Sequence, residues 1–196
     1  MIGTPIHEVK DYSMRRWLKS VSEITTDAEW KLFMVDNSAN KEWYPKIHEY
    51  CKELNFTNYE LISLPDMKDG DDFEPERLAC SREVIREKLL KENYDYFWSW
   101  ECDIICPPDT LMYLLKFTPD FDAIYHTYPP KGNTVENMEQ DGIGCVLYTR
   151  KIFETFKFAD NKVPLGADGR LIFEVMRKGW KIIEIHNIFK LEHLAV

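Results

Sequence analysis

Apolar positions along the chain follow two alternating rhythms. Short apolar runs bounded by Pro, Asn, Asp or Gly alternate with stretches in which large apolar side chains recur every three or four positions. The first rhythm belongs to buried strands and the second to amphipathic helices. Residues 1–5 read as a first strand ending at Thr4–Pro5. Trp17, Leu18, Val21 and Ile24 predict a helix over about 10–24. Lys31–Asp36 predicts a strand closed by the turn residues Asn37–Ser38, and Trp43, Ile47, Tyr50, Cys51 and Leu54 a second helix. A strand over 59–64 stops at Pro65, an acidic loop follows, and Leu78, Ile85 and Leu89 predict a helix over about 75–92. The next strand, Asp95–Asp103, is closed by Pro107–Pro108. A short helix at 109–116, a strand at 121–128, a polar loop at 129–141, a strand at 144–149 and a short helix at 150–157 come next. A helix at about 167–178 and a strand at 181–186 complete the pattern. Strands alternating with helices predict an α/β fold with a mostly parallel sheet. Such sheets bind ligands beyond the carboxyl ends of their strands, where strand order reverses. The strand ends to watch are therefore Thr4–Pro5, Asp36–Asn37–Ser38 and Glu101–Cys102–Asp103.

Composition narrows the picture. With 196 residues, 44% apolar, and 11 Phe, 10 Tyr and 6 Trp, a single domain can bury about 70% of its unfolded surface without disulfide support. A net charge of −9 excludes a general nucleic-acid surface, which needs a basic face. The five cysteines are odd in number and lack a repeated C-x-x-C spacing, which reads as reduced thiols in a cytoplasmic protein. No basic-then-apolar leader opens the sequence, and no run of about 20 apolar residues predicts a spanning helix. Peripheral membrane contact is compatible with all of this.

Glu101 and Asp103 stand two apart at a strand end, and period-2 geometry places both carboxylates on one face. Two close carboxylates repel, so either one takes a proton or a cation sits between them. Oxygen donors favour a hard divalent ion, magnesium or manganese. Two solvated acids at a strand end are the ordinary alternative.

In its context this acid-x-acid motif, FWSWECDIICPPDTLMYLL, resembles that of the GT-A fold glycosyltransferases, in particular the family 2-like group. The resemblance extends along the chain in order. It takes in IGTPIHEVKDYSMRRWLKSV at the first strand, FMVDNSAN at the second, and the Arg-bearing helix RLACSREVIREKLLKENYDY. It continues through the Gly-rich strand DGIGCVLYTRKIF, the helix-opening acid of GADGRLIFEVMRKGWKI and the late His of IFKLEHL. At this length the chain resembles the minimal members encoded by archaeal viruses.

The resemblance implies a GT-A fold: a central, mostly parallel mixed sheet flanked by helices. It implies one domain over 1–196, with about 1–106 binding the nucleotide sugar and about 107–196 carrying the acceptor and catalytic side. A UDP- or GDP-sugar would be the donor and a glycan, lipid or protein hydroxyl the acceptor, with manganese or magnesium on the diphosphate. Asp103, His193 and Glu101 would hold the metal. Thr4, Pro5, Asp36, Arg82, Glu101 and Asp103 would bind the nucleotide sugar, and Asp168 would be the general base of an inverting transfer. Four of these also have a plainer role: Asp36 as a turn former, Arg82 as a solvated helix residue beside Arg86, Asp168 as a helix cap, and His193 in a fraying tail.

Three departures stand out. Glu replaces the first Asp of the motif, Ala167 stands where an acid pair is common, and the Q-x-x-R-W motif of processive synthases is absent, which argues for a single transfer. Competing readings are a zinc site from Cys102, Cys106 and His193, a non-catalytic binding module on the same fold, and a nucleotidyltransferase. The last would need a Gly-rich basic first loop, and only Gly3 lies there. The loops at 66–75 and 129–141 flank the expected site, and the sequence predicts that one or both are mobile without ligand and order over the donor or acceptor.

Overall fold

The computed structural model describes residues 1–64, 74–128, 144–158, 167–186 and 190–195, with residues 74–76 and 167–169 described by backbone alone. The predicted alternation is present. β1 (Ile2–Ile6), α1 (Asp11–Ser22), β2 (Leu32–Asp36), α2 (Trp43–Glu53) and β3 (Tyr59–Ser63) lead to α3 (Glu74–Lys91) and β4 (Tyr96–Trp100). The rest of the chain forms β5 (Ile104–Ile105), α4 (Thr110–Leu115), β6 (Ala123–His126), β7 (Cys145–Thr149) and α5 (Arg150–Thr155). It ends with α6 (Ala167–Arg177), β8 (Ile182–Ile185) and β9 (Glu192–His193). The central sheet has the order β3-β2-β1-β4-β7-β6-β8. Parallel pairing joins β3 to β2, β2 to β1, β1 to β4 and β6 to β8, while β7 is antiparallel to both β4 and β6.

Two cores form because strand side chains alternate between faces. Ile2, Ile6, Leu32, Met34, Trp98, Trp100 and Leu147 face α1, α2 and α4, through Trp17, Ile47 and Leu111 among others. Phe33, Val35, Phe97, Val146 and Tyr148 face α3, α5 and α6, through Ile85, Phe153 and Leu171. At Gly3 the helix comes too close for any side chain. A Cβ there would lie 2.6 Å from both Ile85 Cγ2 and Phe97 Cε2, so glycine at this position sets the approach of α3 to β1. All five cysteines are free thiols. Among the described residues no helix is long and apolar enough to cross a membrane.

From β1 the chain steps outward to β2 and β3, then returns to place β4 on the other side of β1. Strand order therefore reverses between β1 and β4, the position at which open α/β sheets bind ligands.

One prediction needs correction. The strand expected to run to Asp103 stops at Trp100. The Glu101 N–H still donates to the Gly144 carbonyl (2.8 Å), extending the ladder by one bond. Beyond it the Trp100 indole N–H donates to the Ile104 carbonyl (2.7 Å) and the Ile104 N–H to the Glu101 carbonyl (3.1 Å). These bonds close residues 101–104 into a turn. β5 then pairs antiparallel with β9, a short two-stranded sheet that local pattern did not predict. Close packing of Gly144 supports the turn, since a Cβ there would meet Ile104 Cδ1 at 2.6 Å and Tyr128 Oη at 2.8 Å.

Candidate active site

A cavity of about 600 Å³ opens at the reversal point, lined by Pro5, Ile6, His7, Lys10 and Asn37, by Arg77 and Arg82 from α3, and by Glu101 and Cys102. Among the described residues its charge is opposite to that of the whole chain: Lys10, Arg77 and Arg82 face it, and the carboxylate among them is Glu101. A net charge of −9 repels an anionic ligand in general, and these described side chains oppose that field at the cavity.

The acid-x-acid motif divides in two here. In a turn, residues two apart no longer share a face, and each acid meets its own base. Glu101 lies about one-third exposed on the cavity, with Oε1 at 3.8 Å from Arg82 Nη2. Asp103 has no exposed surface. Its Oδ2 bonds the Lys10 ammonium, accepts from the Tyr12 hydroxyl (3.1 Å) and lies 3.6 Å from His193 Nε2. The expectation that both carboxylates share one face is thus overturned by the turn geometry. Asp103 and His193 do meet, as the resemblance implies, because β9 aligns His193 with Ile104 and the Leu194 N–H donates to the Asp103 carbonyl (2.8 Å). His193 is held in a strand with its side chain almost wholly buried, not in a fraying tail.

Arg82 is 3% exposed. Burial pulls its guanidinium down to about 10, opposed by Glu101 and more weakly by Tyr148 and Tyr128, which leaves it fully charged at neutral pH. Arg86, one turn on, serves packing: it donates to the Phe153 carbonyl (2.8 Å) and pairs with Glu83. Burial also raises the Tyr12 hydroxyl to about 12, with Asp103 adding to the effect, so Tyr12 remains a proton donor to the carboxylate.

Thr4 and Asp36 are set back from the cavity. Thr4 is buried within β1, and the strand runs on to Ile6, so Pro5, Ile6 and His7 form the rim. Asp36 ends β2, where its Oδ1 accepts from the Ser38 N–H (2.9 Å) in the turn role foreseen for it. Its neighbour Asn37 reaches the cavity and donates to Ser81 Oγ (3.0 Å), while its own side-chain oxygen is buried with no protein donor among the described residues. The backbone of Asp168 lies in the first turn of α6, which starts at Ala167. The cap position thus falls at residue 166, and both that residue and the Asp168 side chain lie outside the described residues. So do residues 66–73 and 129–141 of the two flanking loops.

Burial raises the Asp36 carboxyl above the usual carboxylate range, opposed by its bonds from Ser38. A carboxyl raised on folding adds stability below its unfolded value of about 3.9, and that contribution is lost as pH rises through the folded value. At pH 7 the ionised group is therefore a net cost. Asp36→Asn, which keeps an oxygen for Ser38, is expected to melt higher than the parent at pH 7. That gain should shrink toward pH 4 in a thermal-denaturation series, and a constant gain across the series would contradict the assignment.

Whether these groups suit a divalent ion can be judged from the donors. Among the described residues no three His, Cys, Asp or Glu side chains converge as metal ligands. Asp103 and His193 supply two donors, on an oxygen already bonded by Lys10, and Glu101 faces Arg82 instead. The set does not form a metal centre in this arrangement. A zinc site from Cys102, Cys106 and His193 does not assemble either: Cys106 lies against Cys145, with sulfurs 3.9 Å apart.

Pattern reading passed over Lys10, His7, Asn37, Tyr12 and Arg77. Lys10 was within reach, since it lies in the turn just after the first strand, on the rim where this fold class binds ligands.

A comparison with protein-family profiles finds no match, and a comparison with curated proteins finds none. Solved structures do match. Staphylococcus aureus TarS 1–349 in complex with UDP-GlcNAc superimposes with a TM-score of 0.68 at 11% identity, over 100% of this chain and 58% of that one. The mannosyltransferase PcManGT of Pyrobaculum calidifontis, in complex with GDP-Man and Mn2+, gives 0.65 at 12% identity, over 95% and 54%. The 4-diphosphocytidyl-2C-methyl-D-erythritol synthase of Anaerococcus prevotii gives 0.57 at 11%, over 95% and 86%. The chain spans a little over half the length of the first two proteins. The fold is that of the nucleotide-diphospho-sugar transferases, the GT-A fold.

Proposed function

We propose that this chain is a glycosyltransferase that moves a sugar from a nucleotide-diphosphate sugar to an acceptor hydroxyl. The observation that carries the reading is the cavity at the β1–β4 reversal, positively lined in an acidic protein and set on this fold. Residues of about 1–106 hold the donor, with the phosphates toward Arg82 and Arg77 and the nucleoside toward Pro5 and Asn37. An Arg fork matches phosphate geometry. Residues of about 107–196 carry the acceptor side. Asp168 takes the proton of the acceptor hydroxyl as that oxygen bonds the anomeric carbon. The bond from that carbon to the diphosphate oxygen breaks on the opposite side, the nucleoside diphosphate leaves with the electron pair, and the anomeric configuration inverts.

The mannosyltransferase neighbour was solved with manganese. An ion brought to this chain would find Asp103 and His193 as protein donors, too few among the described residues to hold it by themselves.

A thermal-shift series with UDP-, GDP- and TDP-sugars, with and without manganese, tests the proposal. One donor should raise the melting temperature in a dose-dependent way, because a ligand of the native state stabilises it. Release of the nucleoside diphosphate in the presence of an acceptor should follow. Stabilisation without release would identify a binding module, and no stabilisation by any donor would overturn the reading.

A further inference from the structure

We propose that the Lys10 ammonium is a built-in counter-ion for the donor diphosphate, so that the nucleotide binds without a divalent metal. The inference rests on the nucleotide-sugar reading above. It begins from the position of Lys10. The single turn Glu8–Lys10 follows β1 directly, and it is held at both ends. The Glu8 N–H donates to Ser38 Oγ (2.9 Å), the Val9 N–H to His7 Nδ1 (3.2 Å), and the Ser13 hydroxyl to the Lys10 carbonyl (2.8 Å). The backbone at Lys10 is therefore fixed at the carboxyl end of the central strand, and its side chain lines the cavity.

The ammonium bonds Asp103 Oδ2; the Lys10 side chain is about one-quarter exposed, while that of Asp103 has no exposure at all. A carboxylate that deep in the protein needs a positive partner, since a lone buried charge is strongly disfavoured. Lys10 is that partner, and Tyr12 donates to the same oxygen. An ammonium has three N–H donors. One is used on Asp103, which among the described residues leaves two for a ligand in the cavity that the side chain lines. Asp103 thus acts as a positioning residue: it holds a cation at the rim in the absence of ligand.

An ion approaching Asp103 through Oδ2 would meet the oxygen that Lys10 and Tyr12 already bond. At that oxygen Lys10 serves the purpose an ion would serve toward a diphosphate. The rest of the charge is supplied by the wall, through Arg77 and the buried Arg82. The usual reason for an ion, an anionic ligand in a site without enough positive charge, is met here by side chains.

Calorimetric titration with UDP and GDP, in EDTA and in manganese, provides the test. The parent is expected to bind one of the two in EDTA, with an affinity that manganese changes by less than about threefold. Lys10→Met should lose about 10- to 100-fold in EDTA, the expected scale for one charged hydrogen bond. It should regain part of that loss in manganese, because Asp103 is then open to the ion.

Lys10→Met leaves a buried carboxylate without its cation and can fail to fold. The double variant Lys10→Met, Asp103→Asn removes both charges and restores neutrality. It should stay folded, bind weakly in EDTA and gain nothing from manganese. Parent binding that appears only with manganese would overturn the inference while leaving the nucleotide-sugar reading intact. So would a double variant that binds in EDTA as tightly as the parent. Absence of binding by the parent in both conditions would overturn the inference and the reading together.

Discussion

Asp168→Asn is expected to keep donor affinity and to lower sugar transfer by ~10²–10⁴-fold, the usual cost of removing a positioned base. The residue lies in the first turn of α6, where the amide dipoles favour a carboxylate over its protonated form. The two roles of Asp168 separate in this variant. Asn has no negative charge to interact with the helix dipole, and the stability lost with it is only ~0.3–1 kcal/mol. It also cannot take a proton. Melting temperature and donor titration should therefore stay close to the parent while turnover, measured with an acceptor that the parent uses, collapses. Near-parent turnover would reduce Asp168 to a helix-stabilising residue and move the base elsewhere on the rim.

Trp100→Ala is expected to have the largest effect on stability, a loss of ~3–5 kcal/mol, the range for a large aromatic removed from a core. Trp100 is almost fully buried, stacked on Trp98 with ring centroids 4.4 Å apart and set edge-on to Trp17 at 5.8 Å. For a chain of this size each kcal/mol lowers the melting temperature by roughly 2–4 °C, so a fall of roughly 6–20 °C should appear by calorimetry. The milder Trp100→Phe isolates the second function of the residue. Phenyl retains much of the packing but cannot donate to the Ile104 carbonyl, a bond of 2.7 Å that helps close the 101–104 turn. Its stability loss should be smaller, while donor affinity still falls, because Glu101 and Asp103 take their places from that turn. Unchanged donor affinity in Trp100→Phe would mean that the backbone bonds hold the turn without the indole.

Much of this protein was legible before any coordinates. Among the described residues, helical and strand periods located the seven strands of the main sheet and the six α-helices, since burial of one face against a layer leaves a repeating local signature. Asp36, Glu101 and Asp103 stood out by their place at strand ends, and Arg82 and the late His through the family resemblance. What pattern could not supply was the division of the acidic pair. Glu101 and Asp103 look like strand neighbours because the alternation before them, Tyr96 to Trp100, is unbroken. The turn that separates them depends on Trp100 reaching Ile104 and on Gly144 packing beneath. Likewise, no local signal ties His193 to Asp103; β9 does so by pairing with a strand far upstream.

Amino-acid order alone therefore determined the class of fold, the sequence of its elements and the rim on which chemistry would sit, because these follow from hydrophobic period and chain direction. Tertiary structure decided the electrostatics of that rim. It buried Asp103, set Lys10 on it, turned Glu101 to Arg82, and gathered positive charge on one cavity of an acidic protein. Those outcomes depend on which side chains approach across the reversal between β1 and β4, and distance in space is not encoded in the spacing of residues along the chain.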